Sequence, residues 1–437
     1  MNKKLKTILF LLMGNLLFSV STKAQQQSIT LKQAMDMALQ HSPSLQISKL
    51  KTDVSQSHIN QLYNALIPTV SVLGNYTRIS DNITPFSLPF NGQLFVLNPQ
   101  VLNQFYNKAS IQEAIFTGFK TYNYASMFKS ELAASKADAS KDAADLRLMV
   151  ANNYFNLYKA IESQKLMDEN LKILDARIAD VKNFETVGMA LDNDVLKAEL
   201  LKSNLEISKS EVENTISIIN YNLDILLGLP ENTTLKLTDE DVNAMPEVQA
   251  DGAFQTTNRS EWLAAKWRSD AMSSSVKIAK SAYYPIITAG FNYYYTDPNQ
   301  RVFPVQDKFY SVWDAGITLN WNITQLFTAK ASIRESKSVL KMSQLAMEQI
   351  NDGLKSEVFS MQKNYLLQKK KLKLTEQAST QAKENERIMK NRFDNQTALF
   401  SDLIDADAQS IQSQINQVQA KCDALVAYYK YMRSIEK

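Results

Sequence analysis

Asp402 and Asp405 stand three residues apart in "TALFSDLIDADA" (397–408), so on a helix they share one face. Asp194 holds the matching place in "MALDNDVLKAEL" (189–200), 208 positions earlier. Ala190, Leu191, Asp194 and Ala198 recur as Ala398, Leu399, Asp402 and Ala406, while Val195, Leu196 and Glu199 recur as Leu403, Ile404 and Asp407. Such residues are open to three kinds of work. Carboxylates gathered around an axis attract cations and turn anions away. A close pair can serve as general acid and base, although a hairpin of long helices offers little of the enclosed pocket this needs. An Asp at a helix start also caps the helix and complements its dipole. That last reading suits Asp194 and Asp402 better than Asp405, which lies a turn further in.

Other reactive groups are sparse. His41 and His58 are the two histidines, 17 apart on what reads as one first helix, and no His/Cys spacing suggests a metal ligand set. No cofactor is expected. Cys422 has no second cysteine to pair with, and it falls on an apolar helix stripe, where it reads as a small packing residue. Composition alone leaves a Ser-His-Asp triad open, but no nucleophile elbow supports one. No phosphate-binding glycine loop is present, and "KKKLK" (369–373) reads as a solvated helix face rather than a nucleic-acid site. An enzyme is not expected.

The acidic turns belong to a larger duplication. "NALIPTVSVLGNYT" (64–77) aligns with "SAYYPIITAGFNYY" (281–294) at an offset of 217, repeating Ala65, Pro68, Asn75 and Tyr76 as Ala282, Pro285, Asn292 and Tyr293. The later offset of 208 makes the second copy nine residues shorter, in the loop after its first strand. Each half reads helix, strand, loop, strand, very long helix, acidic turn, helix. The expected organisation is a leader over 1–24, a first repeat over 25–227, a linker over 228–257 and a second repeat over 258–437.

Helix breakers are scarce where the long helices are expected. No proline lies between Lys120 and Leu229 or after Pro304, and the only glycines there are Gly188, Gly228, Gly316 and Gly353. Roughly 65 residues from Phe119, and as many from Thr328, predict rods of about 100 Å, the second interrupted only at Gly353. Helices so long must pack as coiled coils. Ile411, Ile415, Val418, Cys422, Leu425, Tyr429 and Met432 keep the 4, 3 rhythm of such a seam.

Four segments alternate with period two: 69–79, 106–116, 286–296 and 309–323. In the last, Trp313, Ile317, Leu319 and Trp321 share a face opposite Asp314, Thr318 and Asn320; in the third, Phe291 and Tyr293 share one. Such lengths exceed ordinary strands and match membrane-spanning ones, with these six residues facing lipid. The second segment is the weakest, because Glu113 falls on its apolar face. The competing expectation is the edge of a soluble sandwich. Four strands leave two open edges, so one chain cannot close a barrel; strand number alone allows two copies or more.

"MNKKLKTILFLLMGNLLFSVSTKA" has the basic start, apolar centre and small-residue end of a secretory leader. Without it the chain carries 44 basic and 45 acidic residues, so the overall charge of +3 is no argument for nucleic acid. No run of apolar residues is long enough for a membrane helix.

Pro68 and Pro285 at strand entry, "IFTGFK" (115–120) between strand and helix, and the turns "GMALDNDVLKAE" (188–199) and "RFDNQTALFSDLIDADA" (392–408) together resemble the TolC family of outer-membrane channels. The resemblance covers nearly the whole chain after the leader. It implies a mainly helical protein with a membrane β-barrel part, in which three chains each give four strands to a twelve-stranded barrel and their helices continue it as a periplasmic tunnel. It implies the exit duct of a tripartite efflux pump or type I secretion system, sited in the outer membrane among its lipid. The partners implied are two further copies, a periplasmic membrane-fusion adaptor and an inner-membrane pump of RND or ABC type. Asp194, Asp402, Asp405 and Phe393 would form the periplasmic aperture. Gly188, Met189, Ala190 and Leu191, with Gln396, Thr397, Ala398 and Leu399, would dock the adaptor. The chain departs from the family at Phe393, often Tyr; at Gln396, often Gly; and at Ala398, where the best-known member has Arg. A different class of protein, a soluble periplasmic coiled-coil scaffold or adaptor, is the alternative.

Overall fold

A computed structural model describes residues 27–82, 84–98, 100–186, 190–231, 233–239, 242 and 255–436. The expected leader, the tip residues Gly188 and Met189, and most of the expected linker lie outside these. The chain forms two compact units that cut across both repeats. One comprises the residues up to Ile47 with Ser140–Arg259 and Asn351–Lys437; the other comprises Ser48–Ala139 and Ser260–Ile350.

The second unit holds a four-stranded antiparallel sheet. Its strands, in spatial order, are β2 (Thr69–Arg78), β5 (Asn103–Phe116), β7 (Ile286–Asp297) and β8 (Tyr310–Asn320). All four predicted strands are present, and β2 and β7 start directly after Pro68 and Pro285, whose fixed φ and missing N–H suit a strand entry. The sheet is open, with β2 and β8 as its edges. All ten residues of β2 are exposed, on both faces. The register sorts the side chains. On one face Val70 lies opposite Ile111, Ile111 opposite Phe291, Tyr293 opposite Trp313, Ala289 opposite Ile317, and Ile287 opposite Leu319. On the other, Ser71 lies opposite Ser110, Lys108 opposite Tyr294, Asn292 opposite Asp314, and Thr288 opposite Thr318. Glu113 does fall on the apolar face, beside a bulge between Ala114 and Phe116 and near the end where β5 leaves for a helix.

Between β2 and β5 the sequence suggested only a loop. It holds a hairpin of β3 (Phe86–Phe90) and β4 (Gln93–Asn98), turned at Asn91 and Gly92, both with positive φ. The Asn-Gly pair is a strong hairpin signal; the many apolar residues without clean alternation hid it.

Among the described residues the α-helices are α1 (Leu31–His41), α2 (Pro43–Asn64), α3 (Lys120–Thr186), α4 (Asp192–Leu227), α5 (Ser260–Lys280), α6 (Gln325–Asp394) and α7 (Phe400–Ser434). The single first helix expected from sequence is two, because Pro43 disfavours helix at Ser42, whose ψ is 118°. His41 and His58 therefore sit on different helices. Gly353 does not interrupt α6, which runs 70 residues; one glycine costs only about 1 kcal/mol there.

Among the described residues the first unit holds three apolar clusters, two of them large. Val150, Tyr154 and Phe155 of α3 pack with Leu223 and Leu227 of α4 and Leu425 of α7. Against them lies a short parallel pair, β1 (Gln27–Ile29) with β6 (Leu235–Leu237), the latter in the expected linker. The Tyr154 hydroxyl ties this pair down, donating to the Ile29 carbonyl at 3.1 Å and accepting from the Thr238 N–H at 3.1 Å. Cys422 is buried, and burial pushes its thiol up to about 12, so it stays protonated as a packing residue.

Candidate functional site: acidic helix turns and a two-faced sheet

The second apolar cluster joins the two repeated turns. Val195 and Ala198, at the start of α4, pack with Phe400 and Ile404, at the start of α7, and with Leu174, Ile178 and Val181 of α3. Phe393 bridges them, its ring 5.7 Å from Phe184 and 5.4 Å from Phe400, each edge to face.

Both helices begin alike. Asp194 and Asp402 are each the third helical residue, and their N–H groups reach back to the carbonyls of Leu191 and Leu399 at 2.8 and 3.1 Å. Asp194 also accepts a bond from the Leu191 N–H at 3.2 Å, so its carboxylate caps the turn. Asp402 and Asp405 are both exposed. The carboxylate that sequence reasoning passed over is Asp407, two residues on and turned inward. It is buried and pairs with Arg177 Nε at 3.3 Å. Burial pushes its carboxyl up to about 6, with Glu386 adding to the rise and Arg177 and Lys390 opposing it.

The N-cap positions are unusual. Leu191 and Leu399 occupy them, with no side-chain bond to the first turn, and both are highly exposed. Leu is among the poorest N-caps, about 1 kcal/mol worse than Ser or Asp. The same apolar residue in both repeats, held out into solvent at a cost in stability, points to contact with something else. Ala190 and Ala398 beside them are half-buried. The turn before α7 closes by two backbone bonds, Thr397 N–H to Arg392 O and Gln396 N–H to Phe393 O, both 2.8 Å. This places Gln396 at φ 57°, the conformation that favours glycine.

In the sheet unit, Phe291, Tyr293, Trp313, Ile317, Leu319 and Trp321 are all exposed. Aromatic groups gather at both strand ends. At the loop end Tyr76, Phe105, Phe309 and Tyr295 form a chain of rings with centroids 4.8–5.4 Å apart. At the helix end Phe116, Phe119 and Tyr284 meet edge to face, and the Trp321 indole donates to the Tyr283 carbonyl at 3.3 Å. Nine steps from Ile286 to Tyr295, at about 3.4 Å each and tilted about 40°, give a height near the roughly 25 Å apolar band of membrane barrels. The opposite face carries a charged network that the alternation did not foretell. Asp314 accepts from Asn292 at 2.7 Å and from Arg301 at 2.6 Å, and the Tyr294 ring lies 5.1 Å from the Arg301 guanidinium and 5.6 Å from the Lys108 ammonium. Among the described residues no helix is long and apolar enough to cross a membrane.

Residues 256–430 match the model of a family described as outer membrane efflux protein. No curated protein matches its sequence. Solved structures share the fold over 93% of this chain. The outer membrane protein VceC of Vibrio cholerae matches with a TM-score of 0.75 at 16% identity, over 95% of its length. CusC matches with 0.78 at 13%, over 91%, and the open-state MtrE outer membrane channel of Neisseria gonorrhoeae with 0.73 at 16%, over 88%. The chain thus shares the mostly helical fold of these proteins, with its four-stranded sheet.

Proposed function

We propose that three copies of this chain form the passive exit duct of a tripartite pump. One observation supports this above the rest: the sheet is apolar on one exposed face, polar on the other, and unpaired at both edges. Lipid tolerates no open edge. Joining β8 of one copy to β2 of the next is a heterologous contact that closes into a ring. Strand number permits other counts; the resemblance to TolC-type chains favours three. Helix surfaces agree: Leu196, Leu200, Ile207, Ile218 and Ile225 leave an apolar stripe exposed along α4, as a helix of another copy would require.

In this duct the network of Lys108, Tyr294, Arg301 and Asp314 faces the water-filled interior. Asp194, Asp402 and Asp405 stand near the inner end and favour cations. Phe393 supports the aperture through packing. The exposed Leu191 and Leu399, with Ala190, Gln396, Thr397 and Ala398, dock the hairpin of a periplasmic adaptor, which couples the duct to an energised inner-membrane pump. The duct itself performs no chemistry.

Membrane fractionation followed by mass determination in detergent tests this. Outer-membrane recovery and a mass near three chains are expected. Release as a soluble species without detergent would overturn the reading in favour of a periplasmic scaffold.

A further inference from the structure

The β3–β4 hairpin takes no part in the four-stranded sheet. From Asn82 to Asn107 the chain carries no charged residue. Phe86, Leu88, Phe90, Leu94, Phe95 and Val96 are all exposed, with Leu94 at 74%. An isolated two-stranded hairpin is marginal in water, and a contiguous apolar patch of this kind marks an interaction surface. At half to three-quarters exposure these six side chains offer on the order of 600 Å² of surface, close to the ~800 Å² each partner gives to a specific interface.

Topology says where the hairpin stands. The β2–β5 ladder continues one rung past the strands, Ile79 N–H to Leu102 O at 2.9 Å. The hairpin therefore lies beyond the end of the sheet remote from the helices, attached to the edge strand β2. At the same end, attached to the other edge strand β8, is the loop over 298–309. Its most exposed large apolar side chain is Phe303, also 74% exposed. The two unpartnered features thus sit at opposite edges of one sheet. A ring that pairs β8 of one copy with β2 of the next brings them together at every boundary.

We propose that the hairpin of each copy receives the Phe303 loop of its neighbour, forming an apolar clasp at the outer rim. This rests on the ring reading above. The occupant is a second copy rather than lipopolysaccharide, whose charged headgroups an uncharged hairpin does not match.

The test uses two full-length single variants, Leu94→Cys and Phe303→Cys, with different tags, co-expressed and treated in outer membranes with a short bismaleimide. Native Cys422 is buried and serves as the unreactive control. A covalent product carrying both tags, absent when either variant is expressed alone, is the expected result. No such product, with a detergent mass still near three chains, overturns the clasp and leaves the duct reading intact. A mass of one chain overturns both. Covalent pairs from Leu94→Cys alone would place hairpin against hairpin, and linkage to a different protein would assign the surface to a foreign partner; either outcome overturns the clasp.

Discussion

Arg177 and Asp407 pair across 3.3 Å between α3 and α7, with the carboxylate buried and its Oδ1 lacking a hydrogen-bond partner. The folded chain holds the Asp407 proton up to about pH 6, against an unfolded value near 4. A raised carboxyl pKa means that its charge weighs against folding fully above about pH 6, progressively less below it, and not at all under about pH 4. The turn region is therefore expected to gain stability from this group as pH falls from 7 to 5. Asp407→Asn should flatten that part of the profile. Thermal melts of both proteins at pH 7 and 5 check it; equal pH dependence in the two would refute the assignment.

Leu191→Ser and Leu399→Ser convert both N-caps to good ones, and each should stabilise its helix by about 1 kcal/mol. The same changes should weaken binding to the periplasmic adaptor. Melting and pull-down with purified adaptor are the paired readouts. Higher stability with undiminished binding would show that the leucines do not dock.

Asp402→Asn with Asp405→Asn removes two exposed charges per copy from one helix face. Cation preference in planar bilayers should fall while assembly is kept. Unchanged selectivity would remove these residues from the aperture.

Gly118 joins β5 to α3 with φ 65°, and a Cβ there would lie 2.9 Å from the Ser281 carbonyl oxygen and from Tyr284 Cβ. Gly118→Ala should cost at least about 2 kcal/mol through strain and clash. Gly316→Ala, which meets nothing within 4 Å, is the control. Yield of assembled protein in the outer membrane measures both; equal yields would contradict the joint as described.

Ile317 and Thr318 are neighbours on opposite faces of β8. Ile317→Arg should cost about 2–4 kcal/mol on a lipid-facing surface, whereas Thr318→Arg should be tolerated in a watery interior and alter conductance. Membrane insertion and single-channel recording separate the two. Equal insertion of both would mean that the face of Ile317 does not meet lipid.

Much of this architecture is legible in the residues because period is a strong signal. The alternation around Trp313 and Ile317 gives β8 to within three residues at either end, and the lack of breakers after Lys120 gives α3. The losses follow from physics that periodicity does not carry. Pro43 splits a helix whose apolar pattern continues across it. Phe86–Asn98 is apolar on both faces, so no alternation marks its strands. Asp407 reads like its neighbours Asp402 and Asp405, and only the packing of α7 against α3 turns it inward toward Arg177. The network of Lys108, Tyr294, Arg301 and Asp314 is drawn from three strands and a loop, and strand pairing is what assembles it.

The sheet's two free edges also bear on inheritance. In the ring proposed for it, no single chain encloses the pore; the opening belongs to the set of copies, and each contributes a sector of its wall. In a cell that makes the intact chain together with one damaged in β2 or β8, most assemblies will include a faulty sector. Lesions at these edges should therefore behave as dominant, while lesions that merely stop the chain from being made should be recessive.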